Sequence, residues 1–414
     1  MLQVMDIETW VTGRRSNLDE AKRSAADMIE LVRSGGDGAL LRLAQRYEPG
    51  CESVRISREE IEDAYAKVDE HLVEHVMEAA RRIARFHERQ KERALWLEEF
   101  EPGITLGVKT TPLDRAGLYV PGRRAAYPST ALMNAIPARV AGVPSLCACS
   151  PPPILPLTLV ALDCVGVDEI YRAGGAQAIA AMALGTETIR PCWKIVGPGN
   201  AYVTAAKILL RDEAEIDFPA GPSEIGIIAD RSANPAFIAS DILAQAEHDP
   251  DAACILITTD TALAERVRGE IERQLANSPR REIMVRALSQ SGFIPVANLD
   301  EAIEAMDRVA PEHLSIMVED PLPVLGAVKN AGSIFVGSYA PVAAGDYASG
   351  TNHVLPTAGY AATYSGLNVA HFTKTSSVQV ISRAGLEAIG DVVEAIADAE
   401  GLHAHAASVR IRRA

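Results

Sequence analysis

Twice along the chain, short apolar runs alternate with helical periods, and this alternation limits the available folds more than any other feature. The first set, from Ala116 to Asn200, contains GLYV, STALMNAIPARVAG, LCAC, PLTLVALDCVG, EIYRAGG, AQAIAAMALG and WKIVGPGN. The second contains EIGIIAD, NPAFIASDILAQAEHDPDA, CILITTD, TALAERVRGEIERQL, GFIPVAN, LDEAIEAMDRVA, HLSIMVE and SIFVG. A strand that must reach a parallel neighbour needs a crossover helix, and such sheets are covered on both faces. The pattern predicts an α/β chain with two Rossmann-like but incomplete lobes, each on a mostly parallel sheet. At about 150 residues per domain, 414 residues accommodate two or three lobes. The two sets are compatible with one duplicated unit, although no residue-level repeat is visible.

Residues 17–98 read as charge-rich helices, with Ser57 and Glu60 in a capping-box pattern before a long run to Leu97. After Tyr347 the sequence loosens into a Gly/Thr/Asn/Pro-rich loop, and a helical tail comes next, from about Ser382. The proline-rich stretch 150–164 predicts an irregular helix.

A formal charge of −15 argues against broad nucleic-acid binding or adhesion to anionic membrane, so an anionic ligand must be held locally. The six cysteines lack Cys-x-x-Cys spacing, which points to buried thiols in a reducing compartment and a cytoplasmic protein. The N-terminus carries acids early and lacks a signal-peptide core. The most apolar tract, 151–167, is interrupted by Pro156 and Asp163 and does not read as a membrane span.

Against this background some polar residues need an explanation. Asn234 and Pro235 make an N-cap and first-turn pair, and Pro250 ends the helical pattern, so one helix of about four turns is predicted. Asp241, Gln245 and His248 form one stripe on it; taken alone, such a stripe ordinarily faces solvent. Glu312 and His313 enter a predicted strand behind Pro311, and an acid beside an imidazole can exchange protons near neutral pH. Asp346 and His353 lie on the glycine-rich GDYASGTNH loop, and Glu400, His403 and His405 lie in the tail. Gln245, His248, Asp346 and His405 together would make a thiolate-free N/O site suited to Zn²⁺, with Mn²⁺ and Co²⁺ also open. No strict G-x-G-x-x-G follows a strand, but GLYVPG, GGAQ and GPGN are glycine turns at strand ends. Tyr119, Gln177 and Asn200 could converge there on one ligand, or these could be ordinary βα turns.

Over nearly its whole length the chain resembles the histidinol dehydrogenase family. The resemblance runs through SGGDGALLRLAQRYE, GLYVPG, EIYRAGGAQAIAAMALGTETI, VGPGNAYVTAAK, IDFPAGPSE, SDILAQAEHDPDA, APEHLSI, SGTNHVLPT and EGLHAH. It implies an NAD- and zinc-dependent oxidation of L-histidinol through L-histidinal to L-histidine, the last steps of histidine biosynthesis. It assigns Glu312 and His313 to catalysis, Tyr119, Gln177 and Asn200 to NAD, and Gln245, His248, Asp346 and His405 to one zinc per subunit. Substrate contacts fall on Ser223 and Glu400, together with His313 and the four zinc ligands. The resemblance also implies an intertwined homodimer whose tail reaches the partner's site.

The expected division is 1–115, a helical region packing on the second lobe; 116–224, the NAD-binding lobe; 225–365, the metal and catalytic lobe; and 366–414, the swapped tail. Arg123 and Arg124 depart from the family pattern, which has a glycine and a small residue there; both solvation and help with a dinucleotide phosphate remain open. A dehydrogenase of another small diol or amino alcohol is the alternative, and the retained Glu400 and His405 argue against it. A zinc hydrolase or a metal-binding module without turnover would leave the three glycine turns unexplained.

Overall fold

The computed structural model describes residues 3–14, 18–122 and 125–414; Arg123 and Arg124 lie outside them. The chain is built on two parallel sheets. In the first, the strands run in the order Glu169–Arg172, Ser145–Ser150, Arg115–Tyr119, Lys194–Val196, Glu215–Ile216. In the second, the order is Gln3–Val4, Gly292–Pro295, Ala253–Thr258, Glu224–Ala229, His313–Met317, Ser333–Val336. Numbered within its own lobe and setting Gln3–Val4 aside, each sheet has the order 3-2-1-4-5, the arrangement of a doubly wound fold with a switch point beside its first strand. The likeness between lobes that was invisible residue by residue is therefore present in the topology.

Both sheets are buried on two faces, as their unbroken apolar strands require. Ile225 and Ile227 face one apolar layer of the second lobe, while Ile228, Leu314 and Ile316 face the other, which also holds Trp10. In the first lobe Cys147 and Cys149 point one way, and Leu146 and Ala148 the other, following the strand period of two.

The N-terminal residues serve both lobes. Gln3–Val4 extends the second sheet and the helix Ile7–Gly13 packs Trp10 beneath it, whereas the helices Asp19–Gln45, Arg58–Tyr65 and Glu70–Glu88 pack on the first lobe. The Ser57–Glu60 capping box forms. The helical run expected to reach Leu97 ends at Glu88, and Leu95–Glu101 and Ile104–Pro112 instead form an antiparallel sheet with Thr373–Ile381. Leu95–Glu101 turns back onto Ile104–Pro112 as a local hairpin, and long-range pairing brings Thr373–Ile381 to the other side of Ile104–Pro112. The expected irregular helix is a regular one, Pro156–Cys164, because its proline sits in the first turn, where the missing N–H costs nothing. Among the described residues no helix is long and apolar enough to cross a membrane.

At the first sheet's switch point, a buried ion pair fixes the turn after Lys194–Val196. Lys207 Nζ donates to Asp217 at 2.8 Å and to the Gly197 carbonyl at 2.5 Å, and Asp217 accepts the Gly197 N–H at 2.8 Å. Lys207→Met leaves this carboxylate buried without its cation and is expected to cost about 3 kcal/mol or more, measured as a lower urea midpoint; an unchanged midpoint would contradict this role.

Candidate active site

The two lobes enclose one cleft of about 1490 Å³. The first lobe contributes the carboxyl ends of its strands, the usual ligand edge of an open α/β sheet. The second contributes the opposite edge. Ser223 precedes the strand Glu224–Ala229, and Glu312 precedes the strand His313–Met317, so both sit at amino ends.

On the first lobe, Tyr119 ends its strand with its ring buried, and its hydroxyl accepts the Gly175 N–H at 3.1 Å. Gln177 lies in the first turn of Ala176–Leu184. The Asn200 side chain caps Ala201–Leu209 by accepting the N–H groups of Tyr202 and Val203 at 3.1 and 3.2 Å. All three residues line the cleft. The positive ends of two helix dipoles, at Ala176 and Ala201, border the cleft there, a setting that suits an anionic group. The GPGN turn brings its backbone close to the neighbouring strand: Gly197 has φ +119°, and a Cβ there would collide with the Tyr119 carbonyl.

On the second lobe, the helix predicted from Asn234 onward starts as expected but ends at Ala246, shorter than the four turns expected. Gln245 occupies its last turn, and His248 lies in the following turn, its N–H donating to the Gln245 carbonyl at 3.3 Å. The stripe does not face outer solvent: Asp241 and Gln245 are buried, and His248 opens into the cleft. Protein around its ring lowers the His248 pKa.

Parallel pairing sets His313 beside Ile225, and the neighbouring Glu312 carboxylate accepts the Glu224 N–H at 2.9 Å. His313 Nδ1 stands 3.1 Å from Gln245 Oε1; since that oxygen can only accept, Nδ1 carries the proton and Nε2 presents a lone pair. Among the described residues Nε2 is buried without a hydrogen-bond partner, 3.9 Å from Asp346 Oδ1. Burial, followed by the neighbouring His248 and His353, depresses the His313 pKa to about 3, so its imidazole is neutral near pH 7. Burial also raises the Glu312 carboxyl well above its usual range and lifts Asp346 to about 7.

His353 completes this corner. Its ring is enclosed, its pKa is lowered to about 4 by burial, and its Nδ1 donates to the Asp346 carbonyl at 3.0 Å. Glu312, His313, Gln245, His248, Asp346, Ser223 and His353 therefore share one wall of the cleft. Glu400 and His405 do not join them; both are exposed, Glu400 as the cap that ends the helix Arg383–Ala399 and His405 on the helix His403–Arg413. Among the described residues, no three His, Cys, Asp or Glu side chains converge as a metal site. Motif reading missed the buried pair Arg14–Glu224 behind Ser223 and Glu312. The available signal was a glutamate opening the otherwise apolar run EIGIIA, since a charge in a doubly covered strand needs a partner.

The family model for histidinol dehydrogenase matches residues 12–413. The chain belongs to the histidinol dehydrogenase family. It is 50% identical over 404 residues to a histidinol dehydrogenase of Methanosarcina mazei, covering 96% of this chain and 93% of that protein. A histidinol dehydrogenase of Methanothermobacter thermautotrophicus is 48% identical over 412 residues, covering 98% and 96%. The crystal structure of histidinol dehydrogenase from Elizabethkingia anophelis superposes with a TM-score of 0.95 at 37% identity, covering 99% of this chain and 98% of that one. The family is one of oxidoreductases, and its fold is the one described here.

The Gly197 turn supplies a test of the first-lobe wall. Gly197→Ala combines a left-handed φ with a backbone collision and is expected to lower stability by about 2 kcal/mol or more, measured by urea unfolding. Gly269→Ala, at a helical position with nothing within 4 Å, is the control and should leave the midpoint the same or slightly higher.

Proposed function

We propose that this chain oxidises L-histidinol through L-histidinal to L-histidine, using two NAD⁺ and one Zn²⁺ per subunit, as a cytoplasmic homodimer. The observation that carries the reading is the buried, unpartnered His313 Nε2 beside Glu312 and Asp346, facing a cleft whose other wall offers Tyr119, Gln177 and Asn200.

The second-lobe residues fit a divalent cation. Asp346 is buried with its pKa raised by burial alone, and such a carboxylate gains most from a cation. The rings around it are held neutral, the state in which imidazole binds metal. Gln245, His248 and Asp346 would hold the ion, with His405 arriving from the partner subunit. Zn²⁺ bound there would fix the imidazole and amine nitrogens of the substrate, and NAD⁺ on the first-lobe turns would accept hydride.

His313 takes the hydroxyl proton on Nε2 as the alcohol carbon gives up its hydride, leaving an aldehyde. Its Nδ1–H bond to Gln245 holds the tautomer that this transfer needs. Glu312 then takes a proton from water, which adds to the aldehyde carbon. The hydrate loses a second hydride and becomes the carboxylic acid. Burial raises the Glu312 proton affinity, the direction that a carboxylate acting as a base near neutral pH requires. Ser223 and Glu400 contact the substrate, Glu400 also reaching across from the partner. A cleft closed on two sides keeps the reactive aldehyde from solvent between steps.

The homodimer is supported by apolar surface on the tail and on the antiparallel sheet. Val392 is 61% exposed, Ile396 55% and Ile411 76%, with Leu95, Leu97, Phe100 and Val380 also exposed. A surface of this kind calls for a partner.

His313→Asn is expected to slow NADH formation from histidinol by roughly 10²-fold or more while changing substrate affinity little; unchanged turnover would remove it from the reaction. Glu312→Gln should impair the oxidation of histidinal more than that of histidinol, and equal losses in the two half-reactions would reject the division of labour. A third test addresses the tail. Gln245→Ala and His405→Ala homodimers should each be impaired, whereas mixing them puts both lesions in one site and should restore roughly half of wild-type activity per heterodimer. Demonstrated subunit exchange without recovery would show that the tail serves its own chain.

A further inference from the structure

Behind the catalytic wall, and outside the cleft lining, lies a buried ion pair that the chemistry above does not use. Arg14 caps the helix Ile7–Gly13, with its guanidinium 5.7 Å from the Trp10 ring. Its Nε donates to Glu224 Oε2 at 3.2 Å, with the two side chains 11% and 2% exposed. Its Nη1 donates to the Asp251 carbonyl at 3.2 Å and its Nη2 to the Pro222 carbonyl at 3.3 Å. The other Glu224 oxygen accepts the Ala358 N–H at 2.8 Å. One guanidinium thereby fastens three segments that meet at the cleft: the turn carrying Ser223, the loop after His248, and, through Glu224, the segment after Thr357. The backbone N–H of Glu224 is the hydrogen bond that holds the Glu312 carboxylate.

We infer that Arg14 and Glu224 are positioning residues for Glu312: the pair locks the Glu224 peptide so that its N–H aims the Glu312 carboxylate into the cleft. The carboxylate has few other constraints. Its buried oxygens lie beside the Glu224 and Asp346 carboxyls, which repel it when charged, so this N–H is what selects its orientation. A base displaced by a fraction of an ångström from its water loses rate far more than it loses substrate affinity. The inference rests on Glu312 being the base for aldehyde hydration.

Arg14→Gln should lower kcat for histidinal oxidation by roughly 10–100-fold, leave KM for histidinal within about twofold, and affect histidinol oxidation less. Arg14→Lys, which keeps the charge but not the fork of donors, should recover part of the loss. The decisive measurement is the double variant. Arg14→Gln with Glu312→Gln should be no slower than Glu312→Gln alone, because both changes act through one carboxylate. Additive losses, or a rise in KM without a fall in kcat, would overturn the inference. If Glu312→Gln alone slows both half-reactions equally, the assignment of Glu312 to hydration fails, while the double variant still decides whether Arg14 acts through Glu312. Should Arg14→Gln fail to fold, Glu224→Gln, which keeps an oxygen for the Ala358 N–H, takes its place under the same criteria; unfolding of both would show a purely structural contact and overturn the inference.

Discussion

The parallel pairing of His313–Met317 with Glu224–Ala229 is the contact on which the site depends. The register sets His313 against Ile225, so the residues just before each strand, Ser223 and Glu312, emerge side by side at one edge. Parallel strands are buried on both faces and tolerate no slip, because a one-residue shift would turn every apolar side chain to the wrong layer. Six strands and their covering helices thus hold an acid and an imidazole where loops alone would leave them mobile. The first sheet meets this edge with its opposite, carboxyl edge. A ligand in the cleft therefore has glycine turns and helix starts on one side and carboxylates and imidazoles on the other.

Burial then tunes these groups in a consistent direction. Imidazoles are pushed to the neutral form and carboxyls upward, since a charge removed from water without a counter-charge is costly. His313 and His353 fall to about 3 and 4, Asp346 rises to about 7, and Glu312 rises well above its usual range. Arg14 is committed to Glu224 and two carbonyls and lies behind the wall rather than in it. The neutral imidazoles and buried carboxyls of this corner offer lone pairs, the condition under which a divalent cation and proton abstraction both become favourable.

The structure also divides the duties of the N-terminal residues. Trp10 and Arg14 belong to one short helix and its cap, so the packing of an aromatic ring into the second lobe and the fastening of the catalytic wall are one event. The helix Asp19–Gln45, by contrast, covers the first lobe. Two successive helices thus commit the N-terminal residues to both lobes before either sheet is complete in sequence.

Much of this is written in local sequence. Alternating apolar runs determined the two parallel sheets, because side-chain period and crossover length are properties of short segments. Capping at Ser57, Asn234 and Asn200 and the glycine turns after strands are likewise set by neighbours in the chain. The motifs around His248, Glu312 and Asp346 named the family and the residues that now share a wall. Tertiary structure alone decided the rest. That Thr373–Ile381 is a strand comes from its pairing with Ile104–Pro112, far away in the sequence. That His248 falls past its helix, that the second sheet offers its amino edge, and that Arg14 meets Glu224 depend on contacts spanning as many as 237 positions. Such contacts carry no periodicity that a short window can read, because their energy comes from burial and charge pairing that exist only once distant segments have met.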